Sequence, residues 1–156
     1  MDPRTTDRTE SMMDQLTDML ERLSKRSSRQ KFKQAVLAHG YTNDDYKMFN
    51  TLEDSLKSFI ESMGCTCAIA THAEHLPSAK ATLALCDYLR GAVRFMYGVL
   101  AKTGFDPHEF SLVQEPELFY TELDKAEEQM HAVIHKVEAA EALVRSVHSV
   151  SSSSLN

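Results

Sequence analysis

Glu128, His131 and His135 are the side chains in this sequence whose types and spacing best suit metal chemistry. Residues three and four positions apart share one face of a helix, where a carboxylate and two imidazoles can converge on one ion. A Glu followed three residues later by a His is also half of the motif of carboxylate-bridged di-iron bundles. A metal- or phosphoryl-handling helical bundle that uses the region of His131 and His135 is therefore the alternative functional hypothesis.

The phase of the surrounding helix argues against this metal site. At about 100° per residue, His131 lies roughly 130° from the centre of the apolar stripe, and Glu128 and His135 lie close to the opposite side. Di-metal chemistry also needs a second Glu-x-x-His pair, and we find no second copy in the sequence. We therefore predict that these three side chains face solvent, and we predict no metal and no other cofactor.

The remaining nucleophiles form no recognisable catalytic pattern. The sequence has no Gly-x-Ser-x-Gly elbow and no phosphate-cradling glycine loop. Cys65 and Cys67 would point about 200° apart on a helix, so they cannot share a metal there. We expect the three cysteines, which include Cys86, to be reduced thiols. The sequence thus favours a protein that is not an enzyme.

Charge is distributed most unevenly near the N-terminus. Residues 22–33 contain six basic side chains and no acidic one. These residues are Arg22, Lys25, Arg26, Arg29, Lys31 and Lys33. The formal net charge of the chain is -6, and only Phe32 interrupts the bases with an aromatic ring, so we expect no nucleic-acid binding. The simplest interpretation is a solvated helix surface, and the functional one is a docking patch for an acidic protein, with a membrane surface as a less favoured partner.

Three methionines precede these bases on an amphipathic segment. Met12, Met13 and Met19 belong to an apolar pattern near the chain end that also includes Leu16 and Leu20. Methionine is flexible and polarisable, and such a face can serve as a partner-binding ridge. We predict that these methionines and the six bases bind another protein or a second copy of the chain.

Apolar residues that recur every three or four positions predict three long helices. Their approximate ranges are 43–75, 77–103 and 116–148. Thr42 or Asn43 can cap the first, Pro77 opens the second, and Gly104 suits the position after its last turn. The very short connection between the first two makes them antiparallel neighbours.

One or two shorter helices are expected before Gly40. The serine-rich stretch 24–28 separates two amphipathic pieces, which favours two helices over one kinked helix, and these pieces would form the fourth wall of the bundle. The sequence predicts an all-α, elongated, antiparallel bundle with one domain at 9–149. Residues 1–8 and 150–156 have the composition of disordered ends.

These features indicate a non-catalytic interaction module, such as an adaptor, scaffold, assembly subunit or chaperone-like factor with coiled-coil-like packing. A partner would bind an apolar helix face, and a homodimer is equally compatible with the pattern. The first residues resemble neither a secretory signal nor a transit peptide, and no apolar run reaches the roughly 18 residues of a membrane span. We therefore expect a cytoplasmic protein.

Overall fold

The structure is a computed structural model that describes the backbone of residues 3–154 and the side chains of residues 8–150. It contains four α-helices: α1 (Pro3–Ala38), α2 (Asn43–Ala73), α3 (Leu76–Thr103) and α4 (Pro116–Ser154). A short 3₁₀ helix, Pro107–Glu109, lies between α3 and α4. No strand occurs within residues 3–154, and the all-α prediction is confirmed.

Local hydrogen bonds explain where the central helices begin and end. The Thr42 hydroxyl accepts the Asp45 backbone N–H at 3.1 Å, while the Asp45 carboxylate accepts the Thr42 N–H at 2.8 Å, which is a capping box. A ring nitrogen of His75 accepts the Ser78 N–H at the start of α3. Gly104 ends α3 with φ of 76°, the left-handed conformation that glycine adopts without steric penalty. The predicted caps at Thr42 and Gly104 are confirmed.

Helices α2, α3 and α4 pack together, with α3 in contact with both others. The core is formed mainly by aliphatic side chains and methionine, among them Leu52, Leu56, Leu89, Val93, Met96, Leu100, Leu123 and Met130. Cys86 is fully buried in this core, and burial raises the pKa of its thiol to about 11, so the thiol stays protonated. Arg90 joins α3 to α4 through Asp124 at 2.7 Å and Glu127 at 2.6 Å.

The prediction of shorter N-terminal helices is wrong, because α1 is one helix of 36 residues. No Gly or Pro occurs between residues 4 and 39, and the serine-rich stretch also contains Lys25 and Arg26, which are good helix formers. Serine lowers helix propensity only slightly, so nothing in the stretch stops propagation. The helix ends before Gly40, which has φ of 89°.

The expected fourth wall is also wrong, since within residues 8–38 the side chains of α1 that are buried against the bundle lie near its C-terminal end. Phe32 and Val36 are its buried residues, and every residue from 8 to 28 is exposed. Phe32 lies among aromatic rings from α2 and from the loop after α3, at centroid distances of 4.9 Å to Phe49, 5.2 Å to Phe105 and 4.8 Å to Phe110. Most of α1 therefore lies outside the core.

Both outer helices extend into segments that the sequence predicted to be disordered. α1 begins at Pro3, and α4 continues to Ser154, beyond its predicted end at 148. Residues 1–2 and 155–156 lie outside the described residues. All side chains from 138 to 150 are exposed, because α4 continues past Ala73, where α2 ends.

Candidate interaction surface

An exposed apolar stripe on α1 is the most prominent unpaired surface of the described chain. Its six side chains have exposed fractions between 51% and 66%. We call this stripe the Met/Leu face; it consists of Met12, Met13, Leu16, Met19, Leu20 and Leu23. Monomeric proteins rarely expose contiguous apolar patches of this kind unless the patch binds something. The structure thus groups the three predicted methionines with three leucines that were not predicted as site residues, although they follow the same helical spacing.

The Met/Leu face and the docked face of α1 lie on opposite sides of the helix. Leu16 and Phe32 are separated by 16 positions, as are Leu20 and Val36, and this places the members of each pair about 160° apart around the axis. Phe32 and Val36 are in contact with the bundle, whereas Leu16 and Leu20 are exposed. A continuous helix cannot bury both faces against one bundle, and this is why the fourth wall does not form.

The basic segment, residues 22–33, follows the Met/Leu face but is not wholly available to a partner. Five of its bases are exposed, namely Arg22, Lys25, Arg26, Lys31 and Lys33, and Arg29 is partly buried. Arg29 instead makes an ion pair of 2.5 Å with Glu53, and its guanidinium lies 4.8 Å from the centroid of Phe110. The Lys33 ammonium lies 5.5 Å from the ring centroid of Tyr46. Arg29 and Lys33 therefore help to hold α1 against its own chain.

Glu53 fixes the point where α1 meets the bundle. Its side chain is 7% exposed, and it accepts hydrogen bonds from Arg29 and, at 2.9 Å, from the Ser111 backbone N–H. One carboxylate thus connects α1, α2 and the loop before α4. Sequence reasoning did not identify this residue; its signal is a charge next to Leu52 and within one turn of Leu56 on the apolar stripe of α2.

The acidic residues of α1 lie away from the Met/Leu face. Residues 8–21 contain one Arg and four acids, a net charge of −3, whereas residues 22–33 carry +6. The four acids are exposed, and they are Glu10, Asp14, Asp18 and Glu21. Their helical positions lie between about 120° and 160° from Leu16. The exposed part of α1 is therefore apolar on one side, acidic on the other, and strongly basic towards its C-terminal end.

A second exposed apolar stripe lies at the end of α4. Leu143, Val144, Val147 and Val150 are each 55% to 67% exposed. Unlike the Met/Leu face, this stripe continues the seam that packs inside the bundle, since Val133 and Val137 precede it at the same spacing. It extends past the turn between α2 and α3 and has no charged segment beside it comparable to that of α1.

The three residues of the alternative metal hypothesis are exposed. Glu128, His131 and His135 lie on the outer side of α4, and the prediction that they face solvent is confirmed. In the part of the chain that the structure describes, no three His, Cys, Asp or Glu side chains come together as metal ligands would. The described residues therefore give the metal hypothesis no support.

Comparisons with protein-family models, with curated proteins and with solved structures found no match. Across residues 3–154, none of the helices combines the length and the apolar character needed to cross a bilayer.

Proposed function

We propose that the protein is a non-catalytic interaction module, of the adaptor or assembly-subunit kind, that binds a protein partner through the Met/Leu face of α1. The two-faced construction of α1 carries this proposal. Phe32 and Val36 hold one side of the helix on the bundle, so the opposite side is presented outward as a preformed apolar ridge. A helix that lays such a ridge in an apolar groove is a common mode of protein recognition.

The size of the ridge is adequate for reversible binding. Complete burial of its six side chains would remove on the order of 600 Å² of apolar surface from water, which contributes about 15 kcal/mol at roughly 25 cal/mol per Å². Association costs of about 4–15 kcal/mol offset much of this. The exposed bases at 22, 25, 26 and 31 would increase the rate of encounter with an acidic partner more than the affinity itself.

A protein partner suits this helix better than a lipid surface. Amphipathic helices that lie on membranes carry Lys and Arg on the polar side, where they meet anionic head groups. Along the Met/Leu face, residues 12–23, the polar side of α1 carries three acids, Asp14, Asp18 and Glu21, and one base, Arg22. We therefore propose a protein as the target, and we keep the cytoplasmic location expected from the sequence as part of this proposal.

We predict that Leu16→Glu abolishes partner binding and that Ser11→Glu preserves it. Both changes add one negative charge to an exposed position of the same helix, but Ser11 lies about 140° from Leu16 around the axis. Only Leu16→Glu places a carboxylate in the buried contact. The measurement is photo-crosslinking in the native source, with a photoreactive amino acid in place of Leu20. Mass spectrometry identifies the crosslinked partners and compares their yields between the two variants.

We expect the crosslinked product to fall at least tenfold with Leu16→Glu and to remain at the level of the unchanged protein with Ser11→Glu. Circular dichroism of the purified variants verifies that both retain the helix content. Equal yields from the two variants would contradict the proposal, as would the absence of any crosslinked protein from Leu20.

A further inference from the structure

We propose that the Met/Leu face binds a second copy of this chain, with the two α1 helices packed antiparallel around a twofold axis. The proposal rests on the proposed function, since it names the occupant of the same face. Four properties of α1 support it: the charge of its basic segment, the spacing of its apolar residues, the position of the bundle at one end, and the area of the ridge.

Charge favours an antiparallel pair. Residues 22–33 carry +6, and antiparallel packing places these two basic segments at opposite ends of the helix pair. Parallel packing would instead bring the two basic segments together and repel. Charge therefore favours the antiparallel orientation of the two helices over the parallel one.

The apolar pattern is consistent with the same orientation. A twofold axis near the middle of the ridge, between residues 17 and 18, sets Met12 opposite Leu23 and Leu16 opposite Met19 of the second copy. These four side chains form apolar layers like the a and d layers of a coiled coil, and Met13 and Leu20 flank the layers.

The bundle does not obstruct this arrangement. Phe32, where α1 meets the bundle, lies about 15 residues from the proposed axis, so the two copies of Phe32 are separated by roughly 40 Å at 1.5 Å per residue. The two bundles therefore lie at opposite ends of the helix pair. In a parallel pair they would occupy the same end and compete for space.

The area is sufficient for a weak, reversible dimer. On the order of 600 Å² from each copy gives about 1,200 Å² in total, the lower limit of standard protein interfaces. We expect a dissociation constant in the micromolar range.

Sedimentation equilibrium of the full chain tests the dimer directly. Over about 1 to 100 μM, the range that brackets such a constant, the mass should rise from 17.6 kDa towards twice that value. Leu16→Glu should weaken the association at least tenfold, and Ser11→Glu should change it less than about twofold. A monomer mass at every concentration would overturn the proposal, as would equal association of the two variants.

Disulfide trapping tests the orientation. One variant carries Met12→Cys, and a second variant, with a tag of different mass, carries Leu23→Cys. Both variants also carry Cys65→Ser and Cys67→Ser, and the buried Cys86 is left unchanged. Mixing and mild oxidation should yield mainly the mixed 12–23 disulfide. Predominant 12–12 and 23–23 products would show a parallel pair and overturn the antiparallel proposal.

The failure of this inference can be told from the failure of the proposed function. If the chain stays monomeric while crosslinking from Leu20 captures a different protein in a Leu16-dependent way, the second copy is wrong and the proposed function stands. If the chain stays monomeric and instead co-sediments with phosphatidylserine vesicles through the Met/Leu face, both are wrong.

Discussion

Replacing Phe32 with alanine is expected to lower the free energy of unfolding by about 3–5 kcal/mol, the usual effect of removing a buried aromatic side chain. Phe32 is completely buried, and its ring contacts four other aromatic rings at centroid distances between 4.8 and 6.1 Å. These rings come from α2 and from the loop before α4, so the substitution removes the main contact that holds α1 to the bundle. Urea denaturation followed by circular dichroism measures the change.

Leu16→Ala provides the matched control, because it shortens an apolar side chain on the same helix where that side chain is 51% exposed. In dilute monomeric protein its effect should stay within about 0.5 kcal/mol, as for most surface substitutions. Similar losses of stability from the two variants would mean that Phe32 is not the anchor of α1.

Glu53→Ala is expected to destabilise the fold by about 3 kcal/mol, the lower end of the range for removing one partner of a buried ion pair. Its carboxylate is 7% exposed and accepts both the Arg29 guanidinium and the Ser111 N–H, so the substitution leaves two donors unpaired. Arg29 is 37% exposed and can recover some hydration, which places the effect at the lower end.

The control for Glu53 is Asp54→Ala, which removes an exposed carboxylate from the adjacent position of α2. We expect this control to change the free energy of unfolding by less than about 0.5 kcal/mol. Hydrogen exchange adds a local readout, since the Ser111 amide should lose protection only in the Glu53 variant. If protection at Ser111 persisted, the carboxylate would not hold the loop.

The sequence was sufficient to predict the helices of the bundle because their determinants are local. The cap at Thr42, the glycine at 104 and the three-and-four spacing of apolar residues each act within a few positions of where they stand. The bounds of α2 and α3 agree with the predicted ranges to within two residues. The exposure of His131 and His135 is predicted by the same spacing, because both residues lie on the side of the helix away from its apolar stripe.

The features that the sequence did not predict depend on residues far apart in the chain. The serine-rich stretch favours a break in the helix, yet serine lowers helix propensity only slightly and α1 continues through it. When α1 is treated as one continuous helix, Leu16 and Phe32 lie about 160° apart around its axis. Because Phe32 packs on the bundle, the Met/Leu face must point outward. The pairing of Arg29 with Glu53 joins residues 24 positions apart, and no local pattern specifies it.

The continuity of α1 through its serine-rich stretch is the claim on which the outward Met/Leu face depends, and one distance tests it. Spin labels are attached to two exposed positions through Ser11→Cys and Lys31→Cys, in a protein that also carries Cys65→Ser and Cys67→Ser. An excess of unlabelled protein ensures that the measured distance is the one within a single chain. A continuous helix places the two Cα atoms about 30 Å apart, so we predict a narrow distribution near that value. A distribution that is broad or centred well below about 25 Å would show that the helix breaks, and the Met/Leu face would then be free to turn towards its own bundle.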